Sequence, residues 1–195
     1  MSVRQGLLAL LARQPMYGYQ LKTAFESETG NVWPLNIGQV YTTLARLERD
    51  GLVAAAGDDD EGHTLYDLTP PGRIELDHWF TSPVDRSAPA RDELAVKLAL
   101  AVTSPTVDVR RVVQTQRTST MRTLQDYSRL KARANPEADL AWLLVLDSLI
   151  FHAEAEIRWL DHCESRLARH RPTPLAAVDL GAGADSREPG QEAVR

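Results

Sequence analysis

The stretch that decides the fold lies at residues 36–69 and reads NIGQVYTTLARLERDGLVAAAGDDDEGHTLYDLT. Over its first half, apolar residues recur every three or four positions, which gathers them onto one stripe of a helix. Asn36 is a good N-cap for that helix, and Gly51 supplies the left-handed residue that commonly ends one. We therefore predict a short helix with five buried side chains: Ile37, Val40, Tyr41, Leu44 and Leu47.

Two strands and a tight turn follow this helix. Residues 52–56 form a short apolar run, residues 57–63 are rich in Gly and Asp, and residues 65–69 alternate between two faces. This pattern predicts a β-hairpin, or wing. Pro70, Pro71 and Gly72 then break the strand and open another helix.

A second apolar stripe lies upstream, on Tyr17, Leu21, Ala24 and Phe25, and it ends at Gly30. Two short helices joined in this way make a helix-turn-helix pair, and the hairpin behind them completes a winged helix. The predicted fold is therefore mainly α with a small β-hairpin wing: a winged helix-turn-helix domain followed by long C-terminal helices.

The side of the predicted helix that points away from the apolar stripe carries Gln39, Thr42, Thr43, Arg46 and Arg49. Gln can pair with adenine, Arg with guanine, and Thr can contact a thymine methyl or a phosphate oxygen. The same residue types also occur on ordinary solvated helix faces. The face alone does not separate a DNA-reading helix from a surface helix.

Three motifs of this chain resemble the PadR-like transcriptional regulators. They are GLLALLARQPMYGYQLKTAFE at residues 6–26, IGQVYTTLARLERDGLV at residues 37–53 and LYDLTPPGRIEL at residues 65–76. RDELAVKLAL at residues 91–100 is similar to the segment that opens the C-terminal part of longer family members.

The resemblance implies a dimeric repressor or activator that places the helix around residues 40–49 in the major groove, with a small aromatic ligand as effector. On that analogy Tyr41 contacts a phosphate, and Gln39, Thr42, Thr43 and Arg46 lie nearest the bases. The full set of residues expected at double-stranded DNA is Lys22, Asn36, Gln39, Tyr41, Thr42, Thr43, Arg46, Arg49, His63 and Thr64.

The charge of this region opposes DNA binding. Residues 1–80 hold six Lys and Arg against eleven Asp and Glu, a balance of −5, whereas a DNA-binding domain is normally basic. The wing turn also carries four adjacent carboxylates at residues 58–61, where relatives usually place basic residues. The alternative reading is a winged-helix module that binds protein and not DNA.

Prolines and small polar residues at positions 81–90 predict a linker between a winged domain at residues 1–80 and a helical region at residues 91–170. That region should hold a helix at residues 91–102, a long helix from Ser104-Pro105 to about residue 134, and another from residue 135 to about residue 170. The last helix has a long apolar side, so we expect an antiparallel hairpin that completes its core across a homodimer. The residues predicted at the dimer seam are Leu140, Leu144, Ile150, Ala153, Ile157 and Leu160.

The remaining groups support no enzyme and no cofactor. His152, Glu156 and His162 lack a metal-ligand motif, so no metal is expected. Trp142, Phe151 and Trp159 fit core packing or a dimer interface better than they fit the alternative, an aromatic effector pocket at the junction between subunits or between domains.

The single cysteine, Cys163, is expected to be a small packed side chain without a redox role. No apolar run is long enough for a membrane span or a signal peptide, so a cytoplasmic location is expected. Residues 171–195 lack periodicity and are expected to be disordered.

Overall fold

The computed structural model describes residues 3–85 and 91–169 of the 195-residue chain. Residues 86–90 of the predicted linker at residues 81–90 and the whole predicted tail at residues 171–195 lie outside the described residues. The elements are α1 (Val3–Leu11), α2 (Gly18–Glu28), α3 (Ile37–Arg49), β1 (Val53–Asp58), β2 (Thr64–Leu68), α4 (Pro70–Thr81), α5 (Glu93–Thr103), α6 (Val109–Arg133) and α7 (Leu140–Arg169). The predicted fold class is confirmed.

The N-terminal core is built where α1, α2 and α3 meet behind the hairpin. Its side chains are Leu7, Leu8, Leu10, Leu11, Met16, Leu21, Leu35, Val40, Leu44, Leu47, Leu52, Val53, Leu68 and Leu76. β1 and β2 pair antiparallel from Val53 opposite Leu68 to Asp58 opposite Thr64. Met16 and Tyr66 exchange two backbone hydrogen bonds of 3.1 Å, which join the segment before α2 to the second strand of the wing.

Two of the five residues predicted to be buried on α3 are exposed. Val40, Leu44 and Leu47 are fully covered, but Ile37 is 38% exposed and Tyr41 is 46% exposed. The core covers the stripe formed by positions 40, 44 and 47, and Ile37 and Tyr41 lie at its rim. The spacing of the apolar residues predicted the helix correctly, but the buried stripe predicted from it was too wide.

The predicted C-terminal helices are present, with later starts than expected. α6 begins at Val109 and not at Ser104-Pro105, because the Asp108 side chain accepts a 3.1 Å hydrogen bond from the backbone N–H of Arg111. α7 begins at Leu140, because Asn135 holds a turn through a 2.9 Å bond from the backbone N–H of Glu137 to its side chain.

α6 and α7 run antiparallel, and polar side chains join them at their middle. Gln116 donates to Glu156 at 3.0 Å, and Thr120, which is buried, also donates to that carboxylate. We call these three residues the Glu156 network. Arg117 and Asp161 form an ion pair at 2.7 Å farther along the hairpin.

A second apolar cluster lies at the far end of the hairpin, where Leu98 of α5 meets Val113 of α6 and Leu160 of α7. Leu160 is 0% exposed and Ala153 is 8% exposed, so the chain itself covers both residues. That corrects their assignment to a dimer seam. Leu140 and Leu144 are 61% and 64% exposed, while Ile150 and Ile157 are half-buried.

α7 also touches the winged part of the molecule. Gly30 follows α2, and a Cβ placed on it would lie 2.2 Å from the ring of Trp142. Glycine is required at position 30 for two reasons. A side chain would clash with Trp142, and the φ of +59° lies in the left-handed region that favours glycine. The winged part and the helical hairpin are therefore in direct contact at Gly30 and Trp142.

Candidate nucleic-acid interface

The helix that presents the candidate interface, α3, is fixed at both ends. The Asn36 side chain accepts a 2.8 Å hydrogen bond from the backbone N–H of Gly38. At the other end Gly51 has a φ of +72°, and the N–H of Leu52 reaches back to the carbonyl of Leu47 at 2.9 Å. This is a Schellman ending, and it confirms both predicted caps.

Thr69 ties this end of α3 to the wing and to α4. Its hydroxyl donates to the carbonyl of Gly51 at 2.7 Å and accepts from the N–H of Gly72 at 3.1 Å. Gly72 lies so close to the chain before β1 that a Cβ would be 2.0 Å from the carbonyl oxygen of Leu52. The position of α3 relative to the wing and α4 is therefore set by the Thr69 hydroxyl and by the close approach of Gly72 to the backbone of Leu52.

The face of α3 that points to solvent carries the predicted polar set. Gln39, Thr42, Arg46 and Arg49 are exposed, and Thr43 is half-buried. The hydroxyls of Thr42 and Thr43 donate to the carbonyls four residues earlier, each at 2.8 Å. The two hydroxyls are therefore used as donors within the helix, and their oxygens keep the capacity to accept a further hydrogen bond.

Arg46 differs from the other cations of this region. Lys22 is paired with Glu26 at 2.6 Å, and Arg49 is paired with Asp50 at 2.9 Å. In residues 3–85, Arg46 and Arg73 are the cations without an ion pair to the described part of the chain. Arg46 is therefore the guanidinium on α3 that has no acidic partner within residues 3–85.

Lys22 has a structural partner where a DNA contact was expected. The Glu26 carboxylate accepts from Lys22 and, at 2.9 Å, from the backbone N–H of Leu35. The hydrogen bonds from Lys22 and then from Leu35 hold the pKa of Glu26 below its ordinary value. Glu26 thus fixes the connection into α3, a role that sequence spacing does not signal.

Tyr41 lies against the first turn of α2. A Cβ on Gly18 would be 2.7 Å from the Cε1 and Cζ atoms of the Tyr41 ring. Because glycine leaves this space open, the ring crosses the start of α2 with nearly half of its surface exposed. Tyr41 therefore lies at the edge of the polar face of α3 with part of its ring open to solvent.

The wing turn is organised by Asp59 and His63. The Asp59 carboxylate accepts from the backbone N–H groups of His63 at 2.8 Å and Glu61 at 3.0 Å, and it meets the His63 ring at 3.0 Å. The His63 N–H above all, with the His63 ring and the Glu61 N–H, holds the pKa of Asp59 below its usual range.

This turn limits what the wing offers to DNA. The other face of His63 stacks on Tyr17, with ring centroids 4.5 Å apart, so His63 is engaged on two sides. Thr64 is exposed at the start of β2, beside the exposed carboxylates of Asp58, Asp60 and Glu61. Of the two predicted wing residues, Thr64 is the one with a free side chain in the described structure.

Sequence patterns missed one exposed aromatic residue close to this face. Tyr19 lies in the first turn of α2, next to Gly18, and is 59% exposed. Tyr19 does not belong to the apolar stripe of α2, and this position could have indicated from the sequence that its side chain is exposed.

The three aromatic residues considered for an effector pocket do not converge. At about 1.5 Å per residue, Trp142 and Trp159 are ~25 Å apart along α7. Trp142 packs on Gly30, Phe151 is 65% exposed, and Trp159 packs into the cluster of α5, α6 and α7. Within one chain these three side chains therefore do not line a common pocket, and an effector pocket at the junction between subunits or between domains stays a prediction.

His152 and Glu156 are engaged locally. The His152 ring lies 2.6 Å from the carbonyl of Ser148, and Glu156 belongs to its network with α6. Over residues 3–85 and 91–169, no three His, Cys, Asp or Glu side chains are grouped so that they could hold a metal ion. Within the same ranges, no helix is both long and apolar enough to cross a membrane.

α3 is capped at both ends and has a polar face toward solvent. A preceding helix packs across it, and a β-hairpin follows it. These features together define a winged helix-turn-helix DNA-binding protein. Comparison with known proteins gives the family. Residues 7–78 match the model of the Transcriptional regulator PadR-like family, and residues 90–168 match the model described as Virulence activator alpha C-term. The chain belongs to the PadR-like family and is a DNA-binding transcriptional regulator, not an enzyme.

Relatives are similar over nearly their whole length. A probable transcriptional regulator of Mycobacterium tuberculosis, Rv1176c, is 28% identical over 189 residues, which span 88% of this chain and all of that protein. The Vibrio cholerae virulence activator AphA has a structure with a TM-score of 0.65 at 24% identity, over 86% of this chain and 99% of its own.

Bacillus subtilis PadR is also similar in structure. Its complex with operator DNA gives a TM-score of 0.64 at 20% identity, over 86% of this chain and 99% of its own. Its complex with p-coumaric acid gives 0.67 at 20% identity, over 85% of this chain and 98% of its own. At these identities the likeness to solved structures shows the fold.

Proposed function

We propose that this regulator is a homodimeric repressor that reads a palindromic operator through α3 and is released by a small aromatic effector. The observation that carries the proposal is the outward face of α3, where Gln39, Thr42 and the unpaired Arg46 lie on a helix whose ends and orientation are fixed. B. subtilis PadR, which has the same fold, forms complexes with operator DNA and with p-coumaric acid.

Arg46 gives this proposal its sharpest test. A guanidinium without an acidic partner can form a bidentate pair with guanine, and its loss should cost about 1–3 kcal/mol and relax specificity at that base. The test selects bound sequences from a random DNA pool and then measures Arg46→Ala on the selected site and on its single-base variants. Arg73→Ala is the matched control, because Arg73 is the other cation of residues 3–85 without an ion pair there.

An equal loss of affinity for all sequences in Arg46→Ala would remove the base-reading role. Folded protein that binds no oligonucleotide at modest ionic strength would overturn the proposed function as a whole.

The homodimer is supported by the surface of α7. Leu140, Leu144 and Phe151 are each more than 60% exposed, and their spacing places them on one stripe of the helix. A long helix with such a stripe is stabilised when a second copy covers it. A dimer would also place two copies of α3 at the ~34–36 Å spacing of successive major grooves.

Repression is favoured because it needs only occupancy of the operator, which the α3 surface can supply. Activation requires a further contact with the transcription machinery. The function places the protein in the cytoplasm, where it reaches bacterial-type operators.

The effector response is supported by the contact between Trp142 and Gly30. Trp142 belongs to α7, and Gly30 follows α2, which packs on α3. A ligand that shifts α7 would therefore act on the helix that carries Tyr41 and Arg46. Gel shifts with the selected operator, titrated with planar aromatic acids that include p-coumaric acid, test this response; no release by any of them would contradict it.

A further inference from the structure

An apolar cavity of about 230 Å³ lies where α5, α6 and the end of α7 meet. Its walls include Leu98, Val113, Trp159 and Cys163, and they hold almost no polar surface. At ~30 Å³ for each water in the liquid, the space suits a hydrocarbon of roughly eight heavy atoms. A hydrocarbon that covers these apolar walls removes apolar surface from water, which favours its binding.

The mouth of this cavity is cationic. Val102, Arg166 and Leu167 line both the cavity and a wider depression of about 660 Å³, which also has His162 and Arg169 on its wall. His162, Arg166 and Arg169 are spaced by four and three residues, so they share one face of α7. The cavity and the depression therefore adjoin at three shared residues, and two guanidinium groups lie beside the apolar walls.

Arg166 is available for a ligand. It forms no ion pair with any residue in the described part of the chain, whereas Arg169 donates from Nε to the carbonyl of Ser165 at 3.1 Å. A guanidinium matches the two oxygens of a carboxylate with two parallel hydrogen bonds. A singly charged carboxylate also loses less hydration energy beside an apolar wall than a doubly charged phosphate.

We propose that this cavity binds a small hydrophobic carboxylate, with the hydrocarbon against Trp159 and the carboxylate at Arg166. The site is separate from the Trp142 contact and is formed by one chain. The proposal deepens the effector part of the proposed function, and it rests on that part only for its regulatory consequence. Binding itself is tested on the full chain without DNA, so a failure of operator binding would not affect the result.

Cys163 reports occupancy of the cavity, because it lies in the wall and is the single cysteine of the chain. Burial raises the pKa of its thiol, so alkylation is slow enough to follow by mass spectrometry. The rate of modification by N-ethylmaleimide is measured with octanoate, with trans-cinnamate, and with 1-octanol as a neutral probe. Comparing protection by octanoate with protection by trans-cinnamate shows whether the natural ligand is an alkyl or an aryl carboxylic acid.

At ten times its dissociation constant, a carboxylate that binds here should slow alkylation about tenfold. Arg166→Gln should weaken carboxylate protection about tenfold and leave protection by 1-octanol unchanged. Arg158→Gln is the matched control, since Arg158 is an exposed arginine of α7 that does not line the cavity.

Three results would overturn the proposal. The first is no protection by octanoate or by trans-cinnamate. The second is equal protection by 1-octanol and octanoate, which would remove the role of Arg166. The third is a Cys163 that is unreactive without ligand but reacts in unfolded protein, since another part of the chain or a second copy would then fill the cavity.

Discussion

Replacing Gly18 with alanine should move Tyr41 without unfolding the protein. The new Cβ would lie 2.7 Å from two ring atoms of Tyr41, while ordinary contacts begin near 3.4 Å. The ring must therefore shift by several tenths of an ångström or rotate into solvent. It is free to do so because it is 46% exposed and contacts Gly18 through its far end.

The two effects on stability nearly cancel. Alanine in place of a glycine with an ordinary φ stabilises a protein by roughly 0.4–1 kcal/mol, chiefly through the unfolded chain, and an off-rotamer tyrosine costs about 0.5–1.5 kcal/mol. The free energy of unfolding should change by less than about 1 kcal/mol. A lost hydrogen bond from the Tyr41 hydroxyl to a charged phosphate would cost about 1.5–3 kcal/mol of binding, which is a factor of roughly ten to a hundred.

The assay is operator affinity by fluorescence anisotropy, beside urea unfolding, for Gly18→Ala, Tyr41→Phe and the double variant. Each single variant should bind all operator sequences more weakly by a similar factor, and the double variant should lose little more. Gly6→Ala is the matched control, because its Cβ would also lie 2.8 Å from an aromatic ring, that of Phe25, and would leave Tyr41 and the cap of α3 untouched. Full operator affinity in either Gly18→Ala or Tyr41→Phe would refute the phosphate contact.

Three further predictions concern the dimer, the wing and the base of α4. Leu144→Asp with Phe151→Asp should give folded monomers in sedimentation, since both residues are exposed in one chain; a surviving dimer would place the interface elsewhere. Asp59 has a lowered pKa in the folded state, so its stabilising effect is present above about pH 4 and is lost as the pH falls through the folded value. Amide exchange in the wing should show this loss, Asp59→Asn should not show it, and identical pH profiles would contradict the assignment. Gly72→Ala should lower the free energy of unfolding by about 3 kcal/mol, because its Cβ would lie 2.0 Å from a backbone oxygen that cannot move aside; a near-neutral effect in urea unfolding would show that α4 shifts easily.

Local chemistry was enough to predict the winged region. Asn36 and Gly51 mark the ends of α3 through interactions within a few residues, and the hairpin follows from its turn composition. Spacing alone did not predict that Tyr41 is exposed, because the space it occupies depends on Gly18, 23 positions away in the chain. An apolar position on a helix can lie in the core, at its rim or at an interface, and one sequence does not separate these cases.

The helical region shows the same limit. Leu160 and Leu144 look alike on the apolar side of α7, yet one is fully covered by α5 and α6 and the other is 64% exposed. The sequence before α6 offers two capping signals, Ser104-Pro105 and Asp108. Asp108 is the N-cap, because its side chain accepts a hydrogen bond from a free backbone N–H of the first turn. The partners of Lys22 and His63 also came from the fold and not from the pattern.

α7 is unbroken from Leu140 to Arg169, and this gives it the mechanics of a lever. The Glu156 network joins it to α6 three residues from Trp159 and fourteen residues from Trp142, which makes arms of roughly 4.5 Å and 21 Å. Between this network and Trp142, α7 is also joined to α6 by the solvent-exposed ion pair of Lys131 and Asp147, which contributes little to stability and can open. With the Glu156 network as the fulcrum and that ion pair open, a displacement of about 0.5 Å at the cavity becomes more than ~2 Å where Trp142 meets Gly30. A small ligand bound at one end of α7 would thus produce a larger displacement at the other end, beside the DNA-reading helices.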